Sequence, residues 1–251
     1  AKFSVFFIDE AQKVTWSDVG EISRIKAHAA ELGADVEIME LVSQFRCNGS
    51  DNYLAWLDGT LGVQENVDNY FTKEGFDFQV FDSPTALHTE IRKKNEVNNK
   101  SRVVAGYCWN WVSKRDSKAF DIVIPEYGYK AQWNLSEYGN KWIMDPKSVE
   151  EVGCIHTCQG LEVDYVGVII GDDLIVRDGE LVTDPSARAK TDKSLAGYIK
   201  ERKENPAEAE VKADELIRNT YRTLMTRGMK GCYVYFTNDE TRKYFEAQIP
   251  K

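Results

Sequence analysis

Gly153-Cys154-Ile155-His156-Thr157-Cys158-Gln159-Gly160-Leu161-Glu162-Val163-Asp164-Tyr165-Val166-Gly167-Val168-Ile169-Ile170 is the stretch that decides the fold. A short apolar run ends in small polar residues, a glycine permits a tight turn, and an acid introduces a second apolar run. Runs of that kind bounded by turns suit strands covered on both faces, as in a parallel α/β sheet. Backbone and hydroxyl groups at such a turn suit phosphate contacts, and Glu162 can accept a bond from a ribose hydroxyl.

Outward from this segment, apolar strands alternate with helices. Phe3 to Ile8 and Val36 to Val42 read as strands, with a helix between them from Asp18 to Leu32 closed by Gly33. Ser50 or Asp51 caps a helix with Tyr53, Leu54, Trp56, Leu57 and Leu61 on one side, and Ser83-Pro84 opens another. Strands are expected at Val103 to Trp109, Phe120 to Ile124, Val152 to His156 and Tyr165 to Ile170. Ile175 to Val182 reads as a hairpin turning at Asp178-Gly179. Thr183 to Glu204 is polar and Lys-rich, the pattern of a surface excursion with one helix. Pro206 starts a long helix to about Arg227, Cys232 to Phe236 is a last strand, and Asn238 caps a last helix. The expectation is a three-layer α/β domain with a largely parallel sheet.

The bulk numbers narrow the class. A 42% hydrophobic and 12% aromatic content supports a buried core and argues against disorder. No apolar run approaches the roughly 18–20 residues of a membrane span. The five cysteines have no framework spacing, which points to a reducing cytoplasm. Ala1-Lys2-Phe3-Ser4 reads as a cut placed just before a strand. The net charge of −9 has the wrong sign for a protein gripping nucleic acid through phosphates, although Arg92, Lys93, Lys94, Lys100, Arg102, Lys114, Arg115 and Lys118 cluster locally.

Three further segments carry chemistry. Phe7-Ile8-Asp9-Glu10-Ala11-Gln12 places an acidic pair at a strand end, which suits a Mg²⁺-nucleotide site of Walker B type. It also fits an Asp-x-x-Gln turn in which Gln12 senses a γ-phosphate. In Gln44-Phe45-Arg46-Cys47-Asn48-Gly49-Ser50, Arg46 can project its planar fork toward a phosphate. In Asn219-Thr220-Tyr221-Arg222-Thr223-Leu224-Met225-Thr226-Arg227-Gly228, a helix exit places Arg227 where an arginine finger would act. Cys154, His156 and Cys158 alternate along the expected strand, yet zinc wants four ligands, and buried structural cysteines explain them better. No metal site is expected.

In order, the four segments resemble motifs III, IV, V and VI of superfamily-one helicases. More closely, Gln44 to Ser50, Trp56-Leu57, Ala105-Gly106-Tyr107 and Ile155 to Tyr165 resemble the bacterial family with a Schlafen group-three-type DNA/RNA helicase domain. That resemblance implies a RecA-type fold, with 1–35 a remnant of a first motor domain and 36–251 the second. It favours the motif III reading of Phe7 to Gln12 over Walker B. It implies that Asp9, Gln12, Arg46, Glu162 and Arg227 face ATP and Mg²⁺ in an intact parent, with Gln12, Arg46 and Arg227 catalytic. It further implies that His156 and Thr157 touch single-stranded DNA or RNA, and that Trp16 stacks on a base. The chain contains no Gly-x-x-x-x-Gly-Lys-Ser/Thr cradle. It is therefore expected to bind no nucleotide tightly alone and to need the missing motor domain as partner. A cut sheet edge could pair two copies. The alternative is a nucleotide-dependent switch or scaffold without unwinding.

Overall fold

Five parallel strands form the centre of the computed structural model, which describes residues 3–18, 20–40, 46–64, 75–134, 139–158 and 160–249. In chain order the elements are α1 (Ile22–Glu31), α2 (Asp51–Thr60), β1 (Asp77–Val80), α3 (Pro84–Asn98), β2 (Ser101–Ala105), β3 (Ile122–Ile124) and β4 (Tyr129–Ala131). They continue with β5 (Val152–Gly153), α4 (Ile155–Cys158), β6 (Val163–Ile170), β7 (Leu174–Arg177), β8 (Glu180–Thr183), α5 (Tyr198–Glu204), α6 (Pro206–Met225), β9 (Gly228–Phe236) and α7 (Asp239–Gln248). The sheet order is β1-β9-β6-β2-β5, every pairing parallel, and β3-β4 and β7-β8 are separate antiparallel hairpins.

Period-two alternation assigns the two faces of the sheet. Val166, Val168 and Ile170 of β6 and Val234 and Phe236 of β9 join one core with Tyr53 and Trp56 of α2, Leu224 of α6 and Phe245 of α7. Ile169, Tyr233 and Tyr235 join the other core with Leu87 and Ile91 of α3 and the β3-β4 hairpin. Helix α3 lies so close that a Cβ on Gly167 would sit 2.7 Å from Leu87 and 2.8 Å from Ile91. The result is the three-layer α/β architecture read from the sequence.

Local signals translate directly where turn chemistry is self-contained. Asp178 and Gly179 take φ of 54° and 83° between β7 and β8, the left-handed pair that a two-residue hairpin needs. Ser50, Ser83 and Asn238 accept from the backbone N–H of Tyr53, Ala86 and Thr241 and so cap α2, α3 and α7.

Four expectations are corrected. Residues 3–8 are irregular, with Phe3 83% and Phe7 85% exposed, because no neighbouring strand pairs with them among the described residues. The strand expected at Val36 to Val42 is likewise irregular over 36–40, and 41–45 lie outside the described residues. Asp18 does not cap α1, which starts at Ile22; its carboxylate accepts from Val14 N, Thr15 N and Thr15 Oγ1 and closes the 14–18 turn. Finally, Ile155 to Cys158 is a helical turn rather than strand. The Asn134 carboxamide oxygen accepts from Cys154 N at 3.3 Å and Thr157 Oγ1 at 2.9 Å, which bends the chain out of the sheet direction. Cys154 and Cys158 are therefore buried while His156 is exposed.

Arg102 also departs from its expected place in a surface cluster. It is 1% exposed. Its guanidinium donates to Asn95 Oδ1, Ser101 O, Ser148 Oγ, Asn99 Oδ1, Ile143 O and Asp145 O at 2.6–3.0 Å. Burial lowers its pKa to about 10 against the opposing attraction of Asp145 and Glu151. Arg102→Met should cost roughly 3–5 kcal/mol, read from urea midpoints, because those acceptors are stranded together.

His88 gives a pH signature. Its Nε2 donates to Val149 O at 2.7 Å, and in the neutral ring Nδ1, 2.9 Å from the Tyr129 hydroxyl, accepts from it. Burial pushes the imidazole below its ordinary value of 6.5, against the pull of the Val149 bond. A depressed folded pKa means that the unfolded chain takes the proton first. The stability contribution is thus complete above pH 6.5 and is lost as pH falls through the folded value. A urea midpoint followed from pH 7.5 to 5 should decline below about 6.5, and the decline should be shallower in His88→Gln.

Candidate functional site

The site is built around the C-terminal end of α6, whose last carbonyls have no partners within the helix. Arg227, 4% exposed, folds back so that Nε donates to Thr223 O at 2.9 Å. Its Nη1 reaches Leu161 O at 3.2 Å, while Val163 N donates to Arg227 O at 3.0 Å. The turn before β6 is thereby tied to the turn before β9, and Glu162 stands exposed beside Arg227. From the other side, Tyr53 Oη donates to Met225 O at 3.1 Å and Cys47 Sγ to Thr226 O at 3.9 Å. Arg46 opens the 3-10 turn that carries Cys47, though its side chain lies outside the described residues.

The N-terminal segment docks on the same helix. Asp9 caps a turn over Glu10–Gln12, accepting from Ala11 N at 3.2 Å and Gln12 Nε2 at 2.6 Å. Val14 is fully buried in the core shared with α6. Arg222, one turn before the helix end, donates to both Asp58 oxygens at 2.5 and 3.0 Å. Burial opposes its charge, but the Asp58 bonds and the charges of Asp58 and Asp9 raise its pKa. Of the residues singled out from sequence, Arg227, the turn that carries Glu162 and the backbone turn of Arg46 thus meet at the end of α6, while the turn of Asp9 and Gln12 lies along the same helix against Asn219.

The residues singled out for nucleic acid lie elsewhere. His156 is exposed on α4, and Thr157 Oγ1 is bound to Asn134. Trp16 is half-buried, not sealed in the core. Its backbone N–H donates to Ser194 O at 2.6 Å, its ring meets Tyr198 edge-on at 5.9 Å, and Lys212 Nζ sits 4.5 Å over it. Gly197, at φ 119°, makes room: a Cβ there would lie 2.6 Å from the indole. Much of the basic cluster is paired, Arg92 with Glu150, Lys93 with Glu90 and Lys94 with Asp77, while Lys114 covers Trp111 at 3.8 Å.

Sequence reasoning missed the residues that hold these parts together. Arg188, in the stretch read as a polar surface excursion, is buried with Nε 2.7 Å from Asp173 Oδ2 and Nη1 2.9 Å from both Asp192 Oδ2 and Ser194 Oγ. Its Nη2 reaches Thr220 Oγ1 of α6 at 3.2 Å, and Asp173 also accepts from the Tyr221 hydroxyl. Burial disfavours the guanidinium charge, yet Asp173 and Asp192 hold its pKa above the ordinary value. A lone arginine in a Lys-rich run gives no local sign of this. Asn134 and Asn219 were passed over for the same reason. Among the described residues, no group of three His, Cys, Asp or Glu is placed to hold a metal ion.

The comparisons with known proteins follow the same outline. A family model described as "Schlafen group 3, DNA/RNA helicase domain" matches residues 1–238. An uncharacterized Saccharomyces cerevisiae protein, YPL245W, is 26% identical over 225 residues, covering 81% of this chain and 46% of its own length. The chain therefore spans about half of that curated relative. No solved structure matches.

The Arg222–Asp58 pair is the electrostatic hinge pin of the site, with side chains only 13% and 6% exposed. Asp58→Leu should cost roughly 3–5 kcal/mol by leaving Arg222 buried without its partner. The Asp58→Leu/Arg222→Met double variant should recover most of that loss. Denaturant midpoints of the four-member cycle should give a coupling of about 3 kcal/mol.

Proposed function

The chain belongs to the Schlafen group 3 DNA/RNA helicase domain family, and on that premise we propose that it supplies the trailing contacts of an ATP-driven DNA or RNA motor. The observation that carries this reading is the assembly on α6 of three segments, the Asp9–Gln12 turn held along the helix by Asn219 and the Leu161–Glu162 turn and Arg227 at its C-terminal end. In the proposed site Gln12 senses the γ-phosphate, Arg46 and Arg227 act as arginine fingers, and Glu162 contacts the ribose. Asp9 holds the Gln12 carboxamide in place.

The residues fit the phosphate part of a nucleotide. Guanidinium forks and a carboxamide offer planar donors to phosphoryl oxygens, and a carboxylate on the rim suits a hydroxyl. ATP with Mg²⁺, when bound, would supply the phosphoryl group on which this chemistry is done. Arg227 at rest spends its donors on Thr223 O and Leu161 O. Its service as a finger requires exchanging those carbonyls for phosphate oxygens when the site closes. That exchange would link the turn before β6, next to His156 and Thr157, to nucleotide state, and so link the proposed nucleic-acid contacts of His156, Thr157 and Trp16 to hydrolysis.

Residues 1–35 are proposed to belong to a first motor domain and 36–251 to the second. The exposed Phe3, Val5, Phe6 and Phe7, with Ile38 and Met39, support this reading. They have the composition of buried strands and would be covered by the sheet of that partner domain, or by a second copy when it is lacking. A second reading, a nucleotide-dependent switch or scaffold, draws support from the net charge of −9 and the paired basic cluster.

The test is ATP hydrolysis by the intact protein, with and without single-stranded DNA or RNA. Stimulation by nucleic acid is expected, and Arg227→Gln, checked for retained melting temperature, should lower kcat by roughly 10³-fold. An unchanged rate in that variant removes the finger assignment. Hydrolysis indifferent to nucleic acid moves the reading to the switch.

A further inference from the structure

Asn219 sits in the interior of α6, where asparagine is a poor helix former, and it is 3% exposed. A buried carboxamide is costly unless its donors are satisfied. Its Nδ2 donates away from its own helix, to Lys13 O at 3.2 Å and Glu10 O at 3.5 Å. Glu10 O already accepts from Lys13 N at 3.1 Å, so the amide grips both ends of the turn that carries Gln12.

Asn219 is the middle of a stripe. Glu215, Asn219 and Arg222 recur at i, i+4 and i+7 and so share one face of α6. Glu215 lies 3.8 Å from Lys13, Asn219 holds the two carbonyls, and Arg222 draws on the charge of Asp9 while fixed by Asp58. Each contact alone is weak, but together they engage the whole turn from Asp9 to Lys13. Val14 continues it into the core, and the Trp16 N–H ends it on Ser194 O.

The geometry points to Asn219 as a positioning residue that latches the Gln12 turn to α6, so that the proposed phosphate sensor and the Arg227 finger at the end of that helix are held in fixed register. This inference rests on the functional reading above, and it adds a residue that neither touches nucleotide nor belongs to the motifs' charged set. It also fixes the direction of coupling. Movement of α6 that carries Arg227 must carry Gln12 with it.

Two readouts on the intact protein test the latch, with Asn219→Ala and the isosteric Asn219→Asp, which sets a carboxylate against the two carbonyls. Hydrogen exchange of the amides of residues 11–16 should rise about tenfold, the factor that matches the net worth of one hydrogen bond, with exchange in α6 and β9 unchanged. Steady-state ATP hydrolysis should show kcat reduced at least tenfold with KM for ATP held within about twofold, the split expected when only transition-state positioning is lost. Unchanged exchange over 11–16 in a folded variant overturns the latch, and so does a uniform rise across the chain, which marks Asn219 as ordinary core. A local rise in exchange with unaltered kcat overturns the positioning role. If the wild-type protein hydrolyses no ATP, the functional reading falls by itself and the exchange result alone decides whether the latch exists.

Discussion

A guanidinium held out of water between two carboxylates is the constraint on which the rest of this molecule depends. Arg188 cannot lose its proton, and burying it is tolerable only because Asp173, Asp192, Ser194 and Thr220 meet its donors. Those partners come from the end of β6, the stretch before α5, and α6. The network therefore converts a polar, lysine-rich excursion into a fixed bracket. Ser194 and Gly197 of that bracket receive Trp16, Trp16 ends the N-terminal segment, and that segment lies along α6 through Asn219. Geometry along α6 is inherited from charge burial against that same helix at Thr220 and Tyr221.

What was legible in the sequence was what short-range chemistry determines. The Asp178-Gly179 hairpin, the caps at Ser50, Ser83 and Asn238, the apolar runs of β6 and β9 and the Pro206 start of α6 each need only a few neighbours to declare themselves. What was misread depended on distant partners. Phe3 to Ile8 has the composition of a buried strand but needs adjacent strands to become one. His156 was put on a strand because nothing near it announces that Asn134 diverts the chain. Arg188 and Arg102 looked like solvated cations because the acceptors that bury them lie elsewhere in the chain. Of the candidate site, the motif residues were visible as residue types in order. The side chains that assemble them, Asn219 and Asp58 above all, were not.

The end of α6 shows how one feature of helix chemistry gathers a site. The last carbonyls form an electronegative rim, Arg222 O and Leu224 O already accepting from the backbone N–H groups of Thr226 and Arg227. Arg227, Tyr53 and Cys47 answer it with donors from three separate segments. A cationic side chain parked on such a rim is held by bonds that a phosphate oxygen can replace at little net cost.

The strand order has a consequence for synthesis. Strand β9 is the last one described in the chain, yet it stands second in the sheet, joining β1 on one side to β6 on the other. A nascent chain emerging N-terminus first can pair β2 with β5 and β6, but β1 waits alone. Until residues 228–236 leave the ribosome, β1 and the β6-β2-β5 half-sheet present open edges to solvent. Folding of this domain is thus completed by its final strand, as a zip closed from the far end. Any ribosome pause or truncation upstream of Gly228 leaves a species with β1 unpaired and the β6 edge open.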